Sequence, residues 1–316
     1  MKRLLVLAGA LLFCASAFAQ FPGRPIRIVV PFPAGSATDT ISRILGASVS
    51  TAVGQPVVVD NKAGADGAIA GAEVAKAAPD GYTLLMATNS PMSAVPAMKK
   101  VPPYDPVADF TPVTDIGRYT FFIVVHPGVP AKTLPEFIQY ARSNPGKINY
   151  ATGNTTGIVS TAFFSSLAKI EMVHVPYKGE PQAMTDMISG RVQLMFASSS
   201  TSVPQVRDGK LRALVTTLAR RSQILPDVPT IAEAGMPEFS VTSWAGLFGP
   251  ARMPKEVVER LNREFVAAMG RADVQAAMEK QAFVLNPSTP EKLGGLVKEQ
   301  LESYRNILRA AGVQPE

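Results

Sequence analysis

The fold is decided by the stretch Arg27-Ile28-Val29-Val30-Pro31-Phe32, which is followed directly by Pro33-Ala34-Gly35-Ser36. The first six residues are rich in β-branched side chains, which is typical of a buried strand. The next four contain proline and glycine, which favour a loop. Apolar residues then recur at helical spacing from Ile41 to Val49, and Gly54 is a suitable helix end. The stretch therefore predicts a strand, a loop and a helix in that order.

The same order of strand, loop and helix recurs along the chain. Further strands are predicted at residues 56–59, 82–87, 121–125, 148–151, 173–175, 192–196, 211–216 and 244–248. Further helices are predicted at residues 68–78, 133–141, 158–168, 254–269, 272–280 and 290–311. Strands that alternate with helices imply mostly parallel sheets flanked by helices, so the fold class is α/β.

The length of the chain indicates more than one core. A chain of 316 residues is too long for one typical core and fits two lobes. We place the crossings between the lobes near Phe121 and Trp244. Lobe 1 then comprises residues 20–121 and 244–316, and lobe 2 comprises residues 122–243. The C-terminal helices are expected to pack back on lobe 1.

The N-terminus has the features of a signal peptide, assigned to residues 1–19. Lys2 and Arg3 give a positive start, an apolar run follows, and Ala17-Phe18-Ala19 fits the cleavage pattern of small residues. The apolar run is shorter than the roughly 20 residues that span a bilayer. We therefore expect cleavage after Ala19 and export to the periplasm.

The only cysteine, Cys14, lies inside this signal. Bulky Phe13 precedes it, where a lipid-attachment site normally needs a small residue, so no lipid anchor is expected. Once the signal is removed no cysteine remains, which excludes disulfides, thiol catalysis and cysteine-based zinc sites.

The charge of the chain argues against nucleic acid as a partner. The formal net charge is +6 at pH 7, a modest excess that helps to attract small anions. Lys and Arg do not cluster densely among aromatic residues, as they do in nucleic-acid-binding surfaces.

Candidate binding loops follow from the rule that ligands of open α/β sheets bind beyond the carboxyl ends of the strands. The loops at these ends are rich in Gly, Ser, Thr and Asn, and several lead into helices, whose N-termini attract anions. The predicted ligand-binding residues are Gly35, Ser36, Ala37, Thr38, Asp39, Asn89, Ser90, Thr152, Asn154, Thr155, Thr156, Gly157, Tyr177 and Ser198.

Each loop also has a purely structural interpretation. Ser36 to Asp39 has the S-x-x-D spacing of a helix cap, so Gly35-Ser36 is either a carboxylate cradle, a cap, or both. Asp39 fits a structural role better, because a bare carboxylate repels an anionic ligand. The loop 153–157 is either the matching cradle or a capped turn. The loop 61–67 lacks the spacing of a phosphate loop and favours a tight turn, and Tyr177 is either a ligand contact or part of a solvated turn.

Signals for catalysis are weak. His126 and His174 lie in or beside apolar strands, where packed histidines are commoner than catalytic ones. The sequence lacks H-E-x-x-H, G-x-S-x-G and C-x-x-C, and no glycine pair has G-x-G spacing. We therefore predict no catalytic residues, no metal and no cofactor.

Several motifs together carry a family resemblance. They are Pro25-Ile26-Arg27-Ile28-Val29-Val30-Pro31-Phe32-Pro33-Ala34-Gly35, Ala77-Ala78-Pro79-Asp80-Gly81-Tyr82-Thr83-Leu84, Tyr104-Asp105-Pro106, Val173-His174-Val175-Pro176-Tyr177-Lys178-Gly179, Leu225-Pro226-Asp227-Val228-Pro229-Thr230 and Trp244-Ala245-Gly246-Leu247-Phe248-Gly249-Pro250. With these motifs in this order, the chain resembles the Bug-type substrate-binding receptors of bacterial tripartite tricarboxylate transporters.

The resemblance implies a two-lobed Venus-flytrap fold of the type II periplasmic-binding-protein class. It also implies capture of a small organic carboxylate through backbone N–H groups and ordered water. The chain departs from the family at three places. Ser36 and Asp66 stand where glycines are usual, and Ala197-Ser198 stands where many members carry an acidic residue. The missing acid weakens the case for a ligand with an ammonium group.

The sequence therefore predicts a monomeric periplasmic solute-binding protein. Its expected partners are a small mono- or dicarboxylate, aromatic acids included, and the subunits of a membrane transporter. Two alternatives stay open: a partner that presents ligand to a membrane sensor kinase, and a carboxylate-processing enzyme. A binding protein releases its ligand chemically unchanged, which separates it from the enzyme.

Overall fold

The computed structural model describes residues 21–177, 179–239, 241–310 and 315, so the predicted signal peptide, Cys14 and the predicted cleavage site lie outside the described residues. The strands are β1 (Ile26–Val30), β2 (Val57–Asn61), β3 (Thr83–Thr88), β4 (Phe110–Tyr119), β5 (Phe121–Val125), β6 (Asn149–Thr152), β7 (Val173–Pro176), β8 (Leu194–Ser198), β9 (Arg212–Thr216), β10 (Trp244–Pro250) and β11 (Phe283–Leu285).

Helices cover the sheets. They are α1 (Ala37–Val53), α2 (Ala68–Ala75), α3 (Val95–Met98), α4 (Leu134–Ser143), α5 (Thr155–Ala168), α6 (Glu180–Ile188), α7 (Ser199–Arg207), α8 (Lys255–Met269), α9 (Ala272–Lys280) and α10 (Pro290–Ala310). A 3₁₀ turn at Ala65–Gly67 precedes α2, and a π-helical turn at Ser90–Ala94 precedes α3.

The strands form two sheets. The first has the order β11-β4-β10-β3-β1-β2, and the second has the order β7-β6-β8-β5-β9. The sequence predicts mostly parallel sheets, whereas both sheets are mixed. Pairing is parallel from β2 through β1 to β3 and from β7 through β6 to β8, and antiparallel elsewhere. Parallel neighbours need a crossover connection, usually a helix. β4 and β5 belong to different sheets, and no helix lies between them. The chain passes directly from the first sheet to the second at Thr120.

Strands β4 and β11 are absent from the sequence prediction. β4 contains Pro112, Asp115 and Gly117, which interrupt the alternation of polar and apolar residues. Its pairing with β10 has two register shifts, so the strand accommodates these residues as irregularities. β11 has only three residues, too few to show a period.

Each sheet is buried on both faces. In the first sheet, one face packs against α1, α8 and α9 through residues such as Leu45 and Phe265, and the other packs against α2 and the start of α10. In the second sheet, one face holds a cluster of aromatic rings that includes Phe137, Phe164 and Phe196, and the other packs against α6 and α7. Each lobe therefore has a core of its own.

The last helix joins the two cores. Helices α8 and α9 pack on the first sheet, whereas α10 contacts both lobes. Leu293 and Val297 belong to the core of the first lobe, and Leu301, Tyr304 and Ile307 belong to that of the second. A helix of 21 residues is about 30 Å long, which is enough to reach from one core to the other.

We predict that Tyr304 is essential to this junction. Its ring is fully buried, so Tyr304→Ala should lower the free energy of unfolding by about 3–5 kcal/mol. Tyr304→Phe keeps the ring but removes the hydroxyl that accepts a hydrogen bond from Asn89, so it should cost about 1–3 kcal/mol. Urea denaturation measures both variants, and wild-type stability in Tyr304→Ala would contradict the assignment.

Candidate ligand-binding site

The strand-end loops of the two lobes face and contact each other, and the region between them is called the cleft below. The Thr155 hydroxyl in lobe 2 donates to the Asp66 carboxylate in lobe 1. The hydroxyl groups of Ser90 in lobe 1 and Thr156 in lobe 2 lie 3.1 Å apart. These contacts place the loops after β2 and β3 against the start of α5. The region where the strand-end rule predicts a ligand is therefore the interface between the lobes.

The start of α1 is a capped helix N-terminus. Gly35 has a φ of 80°, a conformation that favours glycine, and Ser36 has an ordinary extended backbone. The Ser36 hydroxyl accepts a hydrogen bond of 3.2 Å from the Asp39 N–H, so Ser36 is the cap. The Gly35 N–H donates to the Asp39 carboxylate at 2.9 Å. The N–H groups of Ala37 and Thr38 lie in the first turn, where a helix provides no acceptor for them.

Asp39 organises this loop from a buried position. Its carboxylate accepts hydrogen bonds from Gly35, Arg43 and Asn61, and it forms an ion pair with Arg43. Burial by itself would raise the pKa of Asp39, but the hydrogen bonds from Arg43, Gly35 and Asn61 outweigh it and hold the pKa below its usual value.

The start of α5 repeats this design in the other lobe. The Asn154 side chain accepts a hydrogen bond of 2.8 Å from the Gly157 N–H, so Asn154 is the cap. The N–H groups of Thr155 and Thr156 are left without helical acceptors, as at Ala37 and Thr38. In both lobes the cap therefore binds the third N–H of the helix and leaves the first two for another acceptor.

Asp66 lies at the contact between the lobes, in the loop 61–67 that the sequence analysis assigned to a tight turn. It lies in a turn where Gly64, Ala65, Asp66 and Gly67 all have positive φ, a backbone conformation that favours glycine. Asp is among the side chains that tolerate this conformation best. The substitution adds a carboxylate to the cleft, and only the departure from the family pattern signals it.

Asn89 and Ser90 have different roles. Both amide hydrogens of Asn89 are used, one on the Thr242 carbonyl at 2.6 Å and one on the Tyr304 hydroxyl at 3.1 Å, and its carbonyl accepts from the Trp244 N–H. Asn89 therefore ties together β10 and α10, and both N–H groups of its side-chain amide are already used. Ser90 reaches Thr156 across the cleft.

Two predicted residues of lobe 2 make internal hydrogen bonds. Thr152 lies 2.7 Å from the His174 ring, and burial lowers the pKa of His174, which favours the neutral ring. The Tyr177 hydroxyl donates to Asp186 at 2.7 Å. Burial and this hydrogen bond raise the pKa of Tyr177 to about 12. Tyr177 thus fits the structural interpretation of its loop, and its neighbour Lys178 lies outside the described residues.

Ser198 lies at the end of β8, where it meets a second residue that the sequence analysis missed. Its hydroxyl and backbone N–H both donate to Glu180, the first residue of α6. An acidic residue in the first turn of a helix usually only stabilises the helix through the helix dipole. Sequence alone therefore does not distinguish Glu180 from other acidic residues at helix starts.

The cleft offers anion-binding groups from two sides. The first-turn N–H groups of α1 and α5 carry partial positive charge, and hydroxyl groups surround them. Among the described residues, no group of three or more His, Cys, Asp or Glu is arranged to hold a metal ion. A cavity of about 850 Å³ lies elsewhere, between α8 and α10, and its lining includes Phe110, Phe248 and Met253. We assign the site to the cleft because the strand ends meet there.

Two lobes that hold a cleft between their strand ends define the periplasmic-binding-protein class. No helix within the described part of the chain has both the length and the apolar character needed to cross a membrane. Solved structures of similar chains share the fold. The periplasmic binding protein BugD is 31% identical, with a TM-score of 0.82, and the match covers 94% of this chain and 100% of that one.

Residues 41–313 match the family described as tripartite tricarboxylate transporter family receptor, so the chain belongs to this family. Rpa4515 of R. palustris with adipate is 32% identical, with a TM-score of 0.86, over 94% of this chain and 100% of that one. MatC of Rhodopseudomonas palustris with bound malate is 32% identical, with a TM-score of 0.81, over 91% and 100%. The assignment to Bug-type receptors and the two-lobed fold are thereby confirmed.

We predict that Asp39 stabilises the folded state in a pH-dependent way. A folded-state pKa below the unfolded value of about 4 contributes stability above that pH, and this stability is lost as the pH falls through the folded pKa. At pH 7, Asp39→Asn should lower the free energy of unfolding by about 1–3 kcal/mol, and the difference should shrink below about pH 4.

Urea denaturation at several pH values tests this prediction. Asp273→Asn is the matched control, because Asp273 also pairs with an arginine but is exposed, and exposed pairs contribute little to stability. An Asp39→Asn deficit that stays constant from pH 7 to pH 3 would contradict the account.

Proposed function

We propose that the chain captures a small organic carboxylate in the periplasm and delivers it to a membrane transporter of the tripartite tricarboxylate type. The observation that carries the proposal is the pair of capped helix starts, α1 and α5, one in each lobe. Each leaves two N–H groups in its first turn, and a carboxylate has two oxygens that accept such donors.

The proposed site comprises the two helix starts and the hydroxyl groups around them. Ala37 and Thr38 would hold a carboxylate from lobe 1, and Thr155 and Thr156 from lobe 2. A diacid would use both sets, so that the ligand joins the lobes and favours closure. The adipate in Rpa4515 and the malate in MatC, both diacids, support this interpretation.

The proposal also includes the bounds of the lobes, the export of the chain and its oligomeric state. Residues 20–121 and 244–316 would form lobe 1 and residues 122–243 lobe 2, with the chain exported after cleavage at Ala19 and acting as a monomer. The family and its structural neighbours are binding receptors, which supports a chain that binds its ligand and does not transform it.

Thermal unfolding of the mature protein with a panel of mono-, di- and tricarboxylates tests the proposal. We expect a dissociation constant of roughly 1 μM for the best ligand. At a hundredfold excess over that constant, binding adds about 2.7 kcal/mol of stability and raises the melting temperature by a few degrees. If no carboxylate in the panel raises the melting temperature, the result counts against carboxylate binding.

We further predict that a single backbone N–H at the start of α1 contributes strongly to affinity. Proline fits the first position of a helix, and Ser36 has the extended backbone that proline requires before it, so Ala37→Pro removes the N–H and leaves the helix intact. Loss of one donor to a carboxylate should weaken binding roughly tenfold to a hundredfold in titration calorimetry.

Ala272→Pro is the matched control. Ala272 is the first residue of α9, its preceding residue is also extended, and the helix lies away from the cleft. This variant should bind like the wild type. Unchanged affinity in Ala37→Pro would show that the carboxylate is held elsewhere.

A further inference from the structure

Glu180 brings a carboxylate to the end of β8 from another part of the chain. Its Oε2 atom accepts a hydrogen bond of 3.2 Å from the Ser198 N–H, one of 2.5 Å from the Ser198 hydroxyl and one of 2.8 Å from the Thr201 hydroxyl. Ala197 and Ser198 are the last two residues of β8, and neither carries a charge. The first turn of α6 therefore supplies a carboxylate at the end of β8, where the strand itself has none.

The three donors converge on a single oxygen. The described residues provide no hydrogen bond to Oε1 of Glu180 and no basic side chain within ion-pair distance of it. Burial raises the pKa of Glu180, although the hydrogen bonds from Ser198 and Thr201 oppose this shift. A partly desolvated carboxylate with one open oxygen favours a hydrogen-bond donor as its next partner.

Glu180 also lies beside the cleft. A Cβ atom on Gly153 would come within 2.4 Å of the Glu180 backbone nitrogen, so the loop before α5 packs directly on Glu180. Two residues further along that loop, Thr155 contacts Asp66 of the other lobe. On the other side, the Ser199 N–H donates to Thr120, where the chain crosses between the lobes. Glu180 thus contacts the loop before α5, and its partner Ser198 is the neighbour in sequence of the residue that binds the crossing.

The charges of the cleft restrict which chemical group of a carboxylate ligand can lie next to Glu180. Two acidic side chains, Asp66 and Glu180, lie near the helix starts that attract anions. A second ligand carboxylate directed at Glu180 would meet a like charge at short range. An O–H or N–H group on the ligand would instead donate to the open Oε1, since charge-assisted hydrogen bonds of this kind are strong.

We propose that Glu180 selects ligands that carry a hydroxyl or ammonium group beside the carboxylate, so that the receptor takes a hydroxy acid or an amino acid in preference to the unsubstituted acid. The inference rests on the proposed carboxylate binding. It reverses the expectation from Ala197-Ser198, where the missing acid argues against an ammonium group. Glu180 touches the ligand in this proposal and acts as a specificity residue.

Matched ligand sets test the proposal by titration calorimetry on the full mature protein at pH 7.5. Each set keeps one carbon skeleton and changes one group: succinate, malate and aspartate; glutarate, 2-hydroxyglutarate and glutamate; propionate, lactate and alanine. We expect the hydroxy or amino member of at least one set to bind tenfold or more tighter than the unsubstituted member. The two substituted members distinguish a hydroxyl ligand from an ammonium ligand.

Glu180→Gln keeps the size and the acceptor oxygen for Ser198 but removes the charge. It should reduce the preference to within about threefold, whereas Glu259→Gln, an exposed acid of α8, should leave it unchanged. Adding Ser198→Asp to Glu180→Gln returns a carboxylate to the end of β8 and should restore the preference. The double variant restores the negative charge but not the hydrogen bonds that Glu180 makes to Ser198 and Thr201. If Glu180 only capped α7, the double variant would therefore not recover the ligand preference.

The outcomes separate this inference from the proposed function. If no carboxylate in any set binds, both fail. If carboxylates bind and the wild type favours the unsubstituted acid, or Glu180→Gln keeps the wild-type preference, the role of Glu180 is overturned and carboxylate binding stands. Failure of the double variant to recover the preference would overturn the assignment of selectivity to a charge at the end of β8.

Discussion

The side chain of Asn89 makes the hydrogen bonds on which the two-lobed arrangement depends. It is fully buried at the end of β3, and its amide binds the Thr242 carbonyl, the Trp244 N–H and the Tyr304 hydroxyl. One side chain thereby fixes the strand that returns from lobe 2 and the helix that contacts both cores. Buried polar groups are costly when unpaired, so this junction restricts how the lobes are placed. The next residue, Ser90, can then reach the start of α5.

With the lobes placed in this way, two sets of opposite charge lie together at the cleft. The first turns of α1 and α5 offer N–H groups with partial positive charge, while Asp66 and Glu180 contribute full negative charges nearby. In the proposed site the helix starts favour an anion, and Glu180 favours a hydrogen-bond donor on the same molecule. In this proposal backbone groups supply much of the affinity, and side chains supply the discrimination. Receptors of one fold can therefore bind different acids through a few changes at the strand ends.

Much of the architecture can be predicted from local sequence. β-branched runs reveal β1 and β5, and the spacing of Ser36 and Asp39 reveals the cap of α1, because these signals lie within a few residues. β4 is hidden because Pro112 and Gly117 disturb its pattern. The contacts that shape the site are not local: Asn89 meets Tyr304, and Glu180 meets Ser198 from another element. Such pairs depend on tertiary packing, so sequence finds the loops of the cleft but not Asp66 or Glu180.

The most direct test of the account is to identify the small molecule that remains bound to the protein when it is purified from cells. The mature protein is purified without added ligand and denatured, and mass spectrometry of the released small molecules follows. The account predicts a small organic acid near one equivalent per chain, recovered chemically unchanged after prolonged incubation with folded protein. An equivalent of a ligand that lacks a carboxylate, or an acid converted to another compound during the incubation, would contradict it.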